Sequence, residues 1–298
     1  MAELRRLHPT PTSNEPRRPA EEHLQLIERL RGGAAARLGY DDVRELLSEL
    51  VKRASPAYWV HTPPRVLTVH RSRPLGSDED WRQFTERDLG PPPPDKVRNY
   101  ARCNQPGQSR LYCSLEENIA LAEMQAARDQ IHLLTTYLLD RKIKLLPIGE
   151  LDFFRRTGGL TYLGDSASKI ARLYASMVDE PDIAFIDAFF ADEFMRHAST
   201  DAVYFLTSAL ADILLSDAET TPAPEALFYP SVVFRGGVNF AITPDACATR
   251  VNLIPEETKI VRITEVLGYG MYRYDTLARL EACEPERLVW NDVGSRTG

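Results

Sequence analysis

The sequence predicts an α+β fold, a mixed sheet core with surrounding helices and a short helical appendage at the N-terminus. Three observations carry this. Strand-like segments alternate irregularly with helical ones and never settle into a βαβ array. Neither Gly-x-Gly-x-x-Gly nor a Walker loop is present, so the two common phosphate-binding α/β frameworks lack support. The 298 residues, 43% of them apolar, suffice for one large domain or two modest ones.

Residues 1–19 are rich in Pro, Thr, Ser and Arg and read as a disordered arm. A first helix is expected from Ala20 to Arg31, stopped by Gly32-Gly33. A second starts at Asp41, a good N-cap, with Val43, Leu46, Leu47, Leu50 and Val51 as its apolar stripe. Residues 20–60 thus read as an appendage that packs on the main domain or against a second copy of the chain. The main domain is expected over 61–275 and a C-terminal tail over 276–298.

Arg65 to Arg71 alternates as a strand with both faces covered. A long connection follows, with Trp81, Phe84 and the stiff Pro91–Pro94 run, and reads as a lid or a spacer. Gln130 to Tyr137 and Lys142 to Leu146 read as two strands joined near Asp140-Arg141. Gly158-Gly159 and Gly164 mark a loop. Helices are expected at Ala167–Met177, Ile186–Phe194 and Ala202–Leu215, then a polar loop from Ser216 to Pro224. Strands return at Ala226–Tyr229, Val238–Ile242, Thr249–Leu253 and Lys259–Val266.

A formal net charge of −7 argues against nucleic-acid binding as the main business. No apolar run is long enough for a membrane span, and the N-terminal arginines precede no apolar core, so neither a membrane protein nor a secretory leader is expected. Cys103, Cys113, Cys247 and Cys283 lack metal or disulfide spacing and read as reduced thiols in a cytoplasm. The six histidines form no ligand pair, so no metal site is expected.

One stretch stands out, from Asn104 through Arg110, Tyr112 and Ser114 to Glu123. Ser114 and Glu117 have the spacing of a capping box at a helix start. Leu115, Ile119, Ala122 and Ala126 then share a helix face, and Glu123 lies on that same face. A carboxylate on an apolar stripe is costly unless it is paired or faces a cavity.

Three segments together resemble the RES family of NAD-degrading toxins. They are the strand ending Val69-His70-Arg71, the run Arg102-Cys-Asn104 through Leu111-Tyr112 to Glu123, and Leu227-Phe-Tyr229-Pro230-Ser231 with Gly236-Gly237-Val238-Asn239. The resemblance implies an ADP-ribosyltransferase-like fold and cleavage of the nicotinamide–ribose bond of NAD+, by glycohydrolase or phosphorylase chemistry. NAD+ is then substrate, and no cofactor is implied. Protein ADP-ribosylation in the same pocket, or a non-catalytic nucleotide- or partner-binding module, are the alternatives. Glu123 is the implied catalytic carboxylate, with Arg71, Tyr112 and Ser231 beside it. Arg102, Asn104, Asn239 and Arg73 are the candidate substrate-binding residues. A separate antitoxin that blocks the pocket is the implied partner, and a homodimer through the N-terminal helices is a second expectation. Cys103 stands where the family has an aromatic residue. His70 reads as structural, on the face opposite Arg71. Arg102 and Arg110 could each be a loop surface charge, and Arg102 is the better ligand candidate of the two.

Overall fold

The structure, a computed structural model, describes residues 18–31, 37–58, 60–160, 167–197, 201–216, 223–234, 236–284 and 286–293. Most of the expected N-terminal arm, the Gly32-Gly33 stop, Gly164 and residues 217–222 of the polar loop lie outside them.

Among the described residues, ten strands build one mixed sheet. They are β1 (Leu67–Pro74), β2 (Leu111–Ser114), β3 (Ile131–Leu139), β4 (Leu145–Pro147), β5 (Ala226–Pro230), β6 (Val238–Ile242), β7 (Val251–Leu253), β8 (Lys259–Gly268), β9 (Met271–Glu284) and β10 (Arg287–Asp292). The order across the sheet is β10-β9-β8-β3-β1-β2-β6-β5-β4, with β7 also pairing β3. The β4–β5 pair is parallel and the others antiparallel. The α+β reading therefore stands.

Two expectations about the sheet are corrected. Residues 131–139 and 145–147 are not a hairpin, because β4 lies at the far edge beside β5. The supposed C-terminal tail supplies most of β9 and all of β10. Ala278, Leu280 and Leu288 bury their side chains against Leu133 and Ile260, so these strands complete a core.

Helices α1 (Glu21–Leu30) and α2 (Tyr40–Ala54) pack on α7 (Pro181–Phe194) and α8 (Asp201–Ser216). Ile27, Leu30, Leu47 and Leu50 share one core with Phe189, Phe190, Leu210 and the sheet residues Leu227 and Ala241. Asp182 ties the layer together, accepting from the Ala20 N–H at 2.7 Å and pairing with Arg53 at 3.1 Å. The N-terminal helices thus lie on the main domain. The N-cap of α2 is Gly39, one place before the first helical residue, and Asp42 accepts from its N–H.

The long connection after β1 is a strap on the opposite face. Trp81, Phe84 and Leu89, the last from the short α3 (Glu86–Leu89), are buried against β3, β8 and β9. α9 (Pro244–Arg250), where a strand end was expected, covers the same face through Ala246. α5 (Glu150–Thr157), absent from the sequence reading, packs beside α6 (Ala167–Met177) and α7. No described helix is long and apolar enough to cross a membrane.

Candidate active site

The sheet is split between its two central strands. β1 pairs β3 from Leu67↔Leu139 to Pro74↔His132. It pairs β2 at His70↔Ser114 alone. Past that junction β1 and β2 part, and a cleft of about 310 Å³ opens between them. Both strand walls contribute, so side chains from opposite sheet faces meet there.

α4 (Glu117–Glu123) sits over this split. Its start differs from the expected capping box. Ser114 ends β2 and gives its hydroxyl to Asn239, while the helix N-cap is Glu116. Glu117 pairs instead with Lys259 Nζ at 2.7 Å and accepts from the Tyr274 hydroxyl. Burial alone would raise the Glu117 pKa, but Lys259 and Tyr274 outweigh it and hold it low.

The end of α4 is a Schellman motif. The Gln125 N–H bonds to Ala122 O at 2.9 Å and the Ala126 N–H to Leu121 O at 3.1 Å. Leu121 and Ala126 make the accompanying apolar contact. Gln125 takes φ 50° at the position where glycine is usual. This termination holds Glu123, in the last turn, at the cleft.

Glu123 is gripped on one oxygen. Its Oε1 accepts from the Ser231 hydroxyl at 2.7 Å and from Asn239 Nδ2 at 2.5 Å. Its Oε2 has no partner among the described residues. Ser231 is oriented by the Phe234 N–H, which donates to its Oγ at 3.1 Å. Gly237 approaches α4 closely. A Cβ there would lie 2.9 Å from Ile119 Cδ1.

The structure brings Arg71, Arg73, Arg102, Tyr112, Glu123 and Asn239 together along the cleft. Arg71 gives Nη1 to the Gly90 carbonyl, on the strap. Arg73 is already paired with Glu79 and Asp88, and lies over the Phe84 ring. Arg102 donates to Phe194 O at 2.6 Å and Arg196 O at 3.0 Å, so both terminal nitrogens cap the α7 end. Tyr112 accepts from the Cys103 N–H at 2.9 Å and donates to Asn104 Oδ1 at 2.7 Å. Burial pushes the Tyr112 phenol well above its ordinary pKa, so it stays neutral.

Two expected residues are placed behind the cleft wall. Asn104 is buried and supports Tyr112. Ser231 is 1% exposed and supports Glu123, which corrects its expected place on the surface of the pocket. Two residues outside the expected site set also line the cleft. His70, read as structural, lines the cleft, because the split lets opposite faces meet. It bonds Thr136 Oγ1 at 3.1 Å, and burial lowers its pKa. Arg110, the lesser ligand candidate beside Arg102, is the second. Tyr204 and Tyr229 also line the cleft and were not among the expected site residues. Tyr229 stood in the third motif segment, but both belong to aromatic runs that equally suit a core.

No cluster of metal-ligating side chains occurs among the described residues. No curated protein matches the chain. A family model for the RES domain matches residues 68–261, more than half of the chain, from β1 into β8. The match spans every cleft residue from His70 to Asn239. The chain belongs to the RES domain family.

Proposed function

We propose that the cleft cleaves the nicotinamide–ribose bond of NAD+, as a glycohydrolase or phosphorylase, and that the chain acts as a toxin. The supporting observation is the Glu123 carboxylate, fixed through Oε1 and open at Oε2. Departure of nicotinamide takes the bonding electron pair and leaves positive charge on the ribose, as in glycoside cleavage. A preorganised carboxylate stabilises that charge and accepts a bond from a ribose hydroxyl. Because its orientation is set before substrate arrives, little reorganisation is needed at the transition state. Water or phosphate then bonds to the anomeric carbon and gives up a proton.

The other residues suit the remaining parts of the substrate. The neutral Tyr112 ring offers a π face to the cationic nicotinamide. Arg71 offers a guanidinium to phosphate oxygens. Ser231 and Asn239 act through Glu123, and Asn104 through Tyr112. NAD+ serves as substrate in this scheme, and an antitoxin that covers the cleft is the proposed restraint on it.

Incubating the protein with NAD+, with and without inorganic phosphate, and weighing the products tests this. Free nicotinamide with ADP-ribose means water is the acceptor, and ADP-ribose 1″-phosphate means phosphate. ADP-ribose recovered on protein would instead support the transferase alternative. Intact NAD+ in both tubes would contradict the cleavage reading.

A further inference from the structure

The four cleft arginines differ in what they are already doing. Arg73 has carboxylate partners, and Arg102 has both terminal nitrogens on helix-end carbonyls. Arg110 has neither arrangement. Its Nη1 donates to the Ser109 carbonyl at 3.0 Å, and its Nε is buried with no partner among the described residues. No carboxylate pairs with it among the described residues. A buried, unpaired donor on a charged group is costly, at about 1–3 kcal/mol or more. Such a group suits an incoming anion.

Position along the cleft supports the same use. β1 and β2 run antiparallel from the His70↔Ser114 junction. Asn239, the partner of Glu123, pairs with Ser114 across β2–β6, so Glu123 marks the level of that junction. Arg71 stands one residue beyond it on one wall. Arg110 stands four residues from it on the other, about 13 Å along at the usual strand rise. Burial pushes the Cys247 thiol up to about 12, while Arg71 and Arg110 both pull it down. Their charges therefore act on one region from opposite walls.

We propose that Arg110 is the distal anion contact of the cleft, holding the adenosine-side phosphate of a dinucleotide whose reacting ribose lies at Glu123 and whose nearer phosphate lies at Arg71. This rests on the reading of the cleft as an NAD+ site. It gives the chain a means of preferring a dinucleotide to a mononucleotide, through a residue not among the expected site residues.

The test is the affinity of the full chain for ADP-ribose, together with NAD+ kinetics, in wild type, Arg110→Gln and Arg110→Lys. Loss of a charge-assisted bond predicts about tenfold or more weaker ADP-ribose binding in Arg110→Gln. KM for NAD+ rises by a similar factor and kcat changes little. Arg110→Lys keeps the charge, loses the planar fork and falls between the two. If the glutamine variant does not fold, the lysine variant is read in its place. Wild-type affinity in whichever variant folds overturns the proposal, as does a fall in kcat with KM unchanged. Arg110-dependent ADP-ribose binding in a protein that leaves NAD+ intact would uphold the contact and sink the cleavage reading. Active cleavage with Arg110-independent binding would do the reverse.

Discussion

Asn239 presents its amide nitrogen to Glu123 and its amide oxygen to Ser114. Nδ2 donates to Glu123 Oε1 at 2.5 Å, and Oδ1 accepts from Ser114 Oγ at 2.6 Å. An ionised carboxylate only accepts, so the amide must turn its NH2 toward Glu123. The Ser114 hydroxyl then donates to the remaining oxygen and secures that orientation.

Asn239→Asp should therefore be more harmful than Asn239→Ala. It places a second carboxylate against Glu123, and two such groups cannot both ionise freely. The expected result is a loss of about 100-fold or more in kcat/KM for NAD+, with an activity profile moved along the pH axis. Equal activity profiles for the two variants would show that the asparagine does not set the charge state of the site.

Ser231→Ala removes one of the two bonds to Glu123 Oε1 and leaves the other. Steady-state kinetics should show kcat down by about tenfold, from loss of one charge-assisted bond worth about 1.5 kcal/mol, with KM little changed. A Ser231 that supplied the nucleophile would lose nearly all activity instead.

Gln125→Gly should stabilise the protein by about 0.5–1 kcal/mol. The left-handed backbone at the α4 end disfavours a side chain, and glycine relieves this, less its greater freedom when unfolded. Denaturant midpoints measure it. A destabilised variant would mean that the Gln125 side chain makes a contribution its geometry does not show.

Asp187 lies fully buried between α5 and α7, accepting from the Asp152 N–H at 2.8 Å. Burial is the main cause that pushes its pKa up to about 7, with Asp152 and Glu150 adding to it. The folded state therefore holds a proton that the unfolded chain releases above about 4. Stability from this group is complete below about 4 and lost as pH rises to about 7, with a slope near 1.4 kcal/mol per unit. Unfolding free energies from pH 5 to 8 should flatten in Asp187→Asn. Parallel curves would contradict the assignment.

Leu50 is fully buried where α2 meets α7 and α8. Leu50→Ala should cost about 2–5 kcal/mol and lower a single unfolding transition. A separate early transition, with the main one unmoved, would contradict the core that α1 and α2 share with α7 and α8.

Local pattern made much of this molecule legible. Val238 to Ile242 is a strand over the residues its alternation predicts, and α8 follows its apolar stripe within a residue at each end. Glu123 was conspicuous as a carboxylate on an apolar helix face, and its place at the cleft accounts for the anomaly. What the pattern did not reveal is tertiary. The parting of β1 from β2 has no local signature, so alternation separated His70 from Arg71 although both reach the cleft. Ser114 and Glu117 have capping-box spacing, yet Asn239 and Lys259, remote in sequence, offer them better partners. β9 alternates exposed and half-buried residues as an outer strand does, which reads as a polar tail until β8 lies beside it.

The most direct test is the rate of nicotinamide release from NAD+ by Glu123→Gln beside wild type. Glutamine keeps an acceptor for Ser231 and Asn239 and removes only the charge. The account predicts an unchanged circular dichroism spectrum and unfolding midpoint with release reduced by about 100-fold or more. A folded variant that releases nicotinamide at the wild-type rate would contradict it.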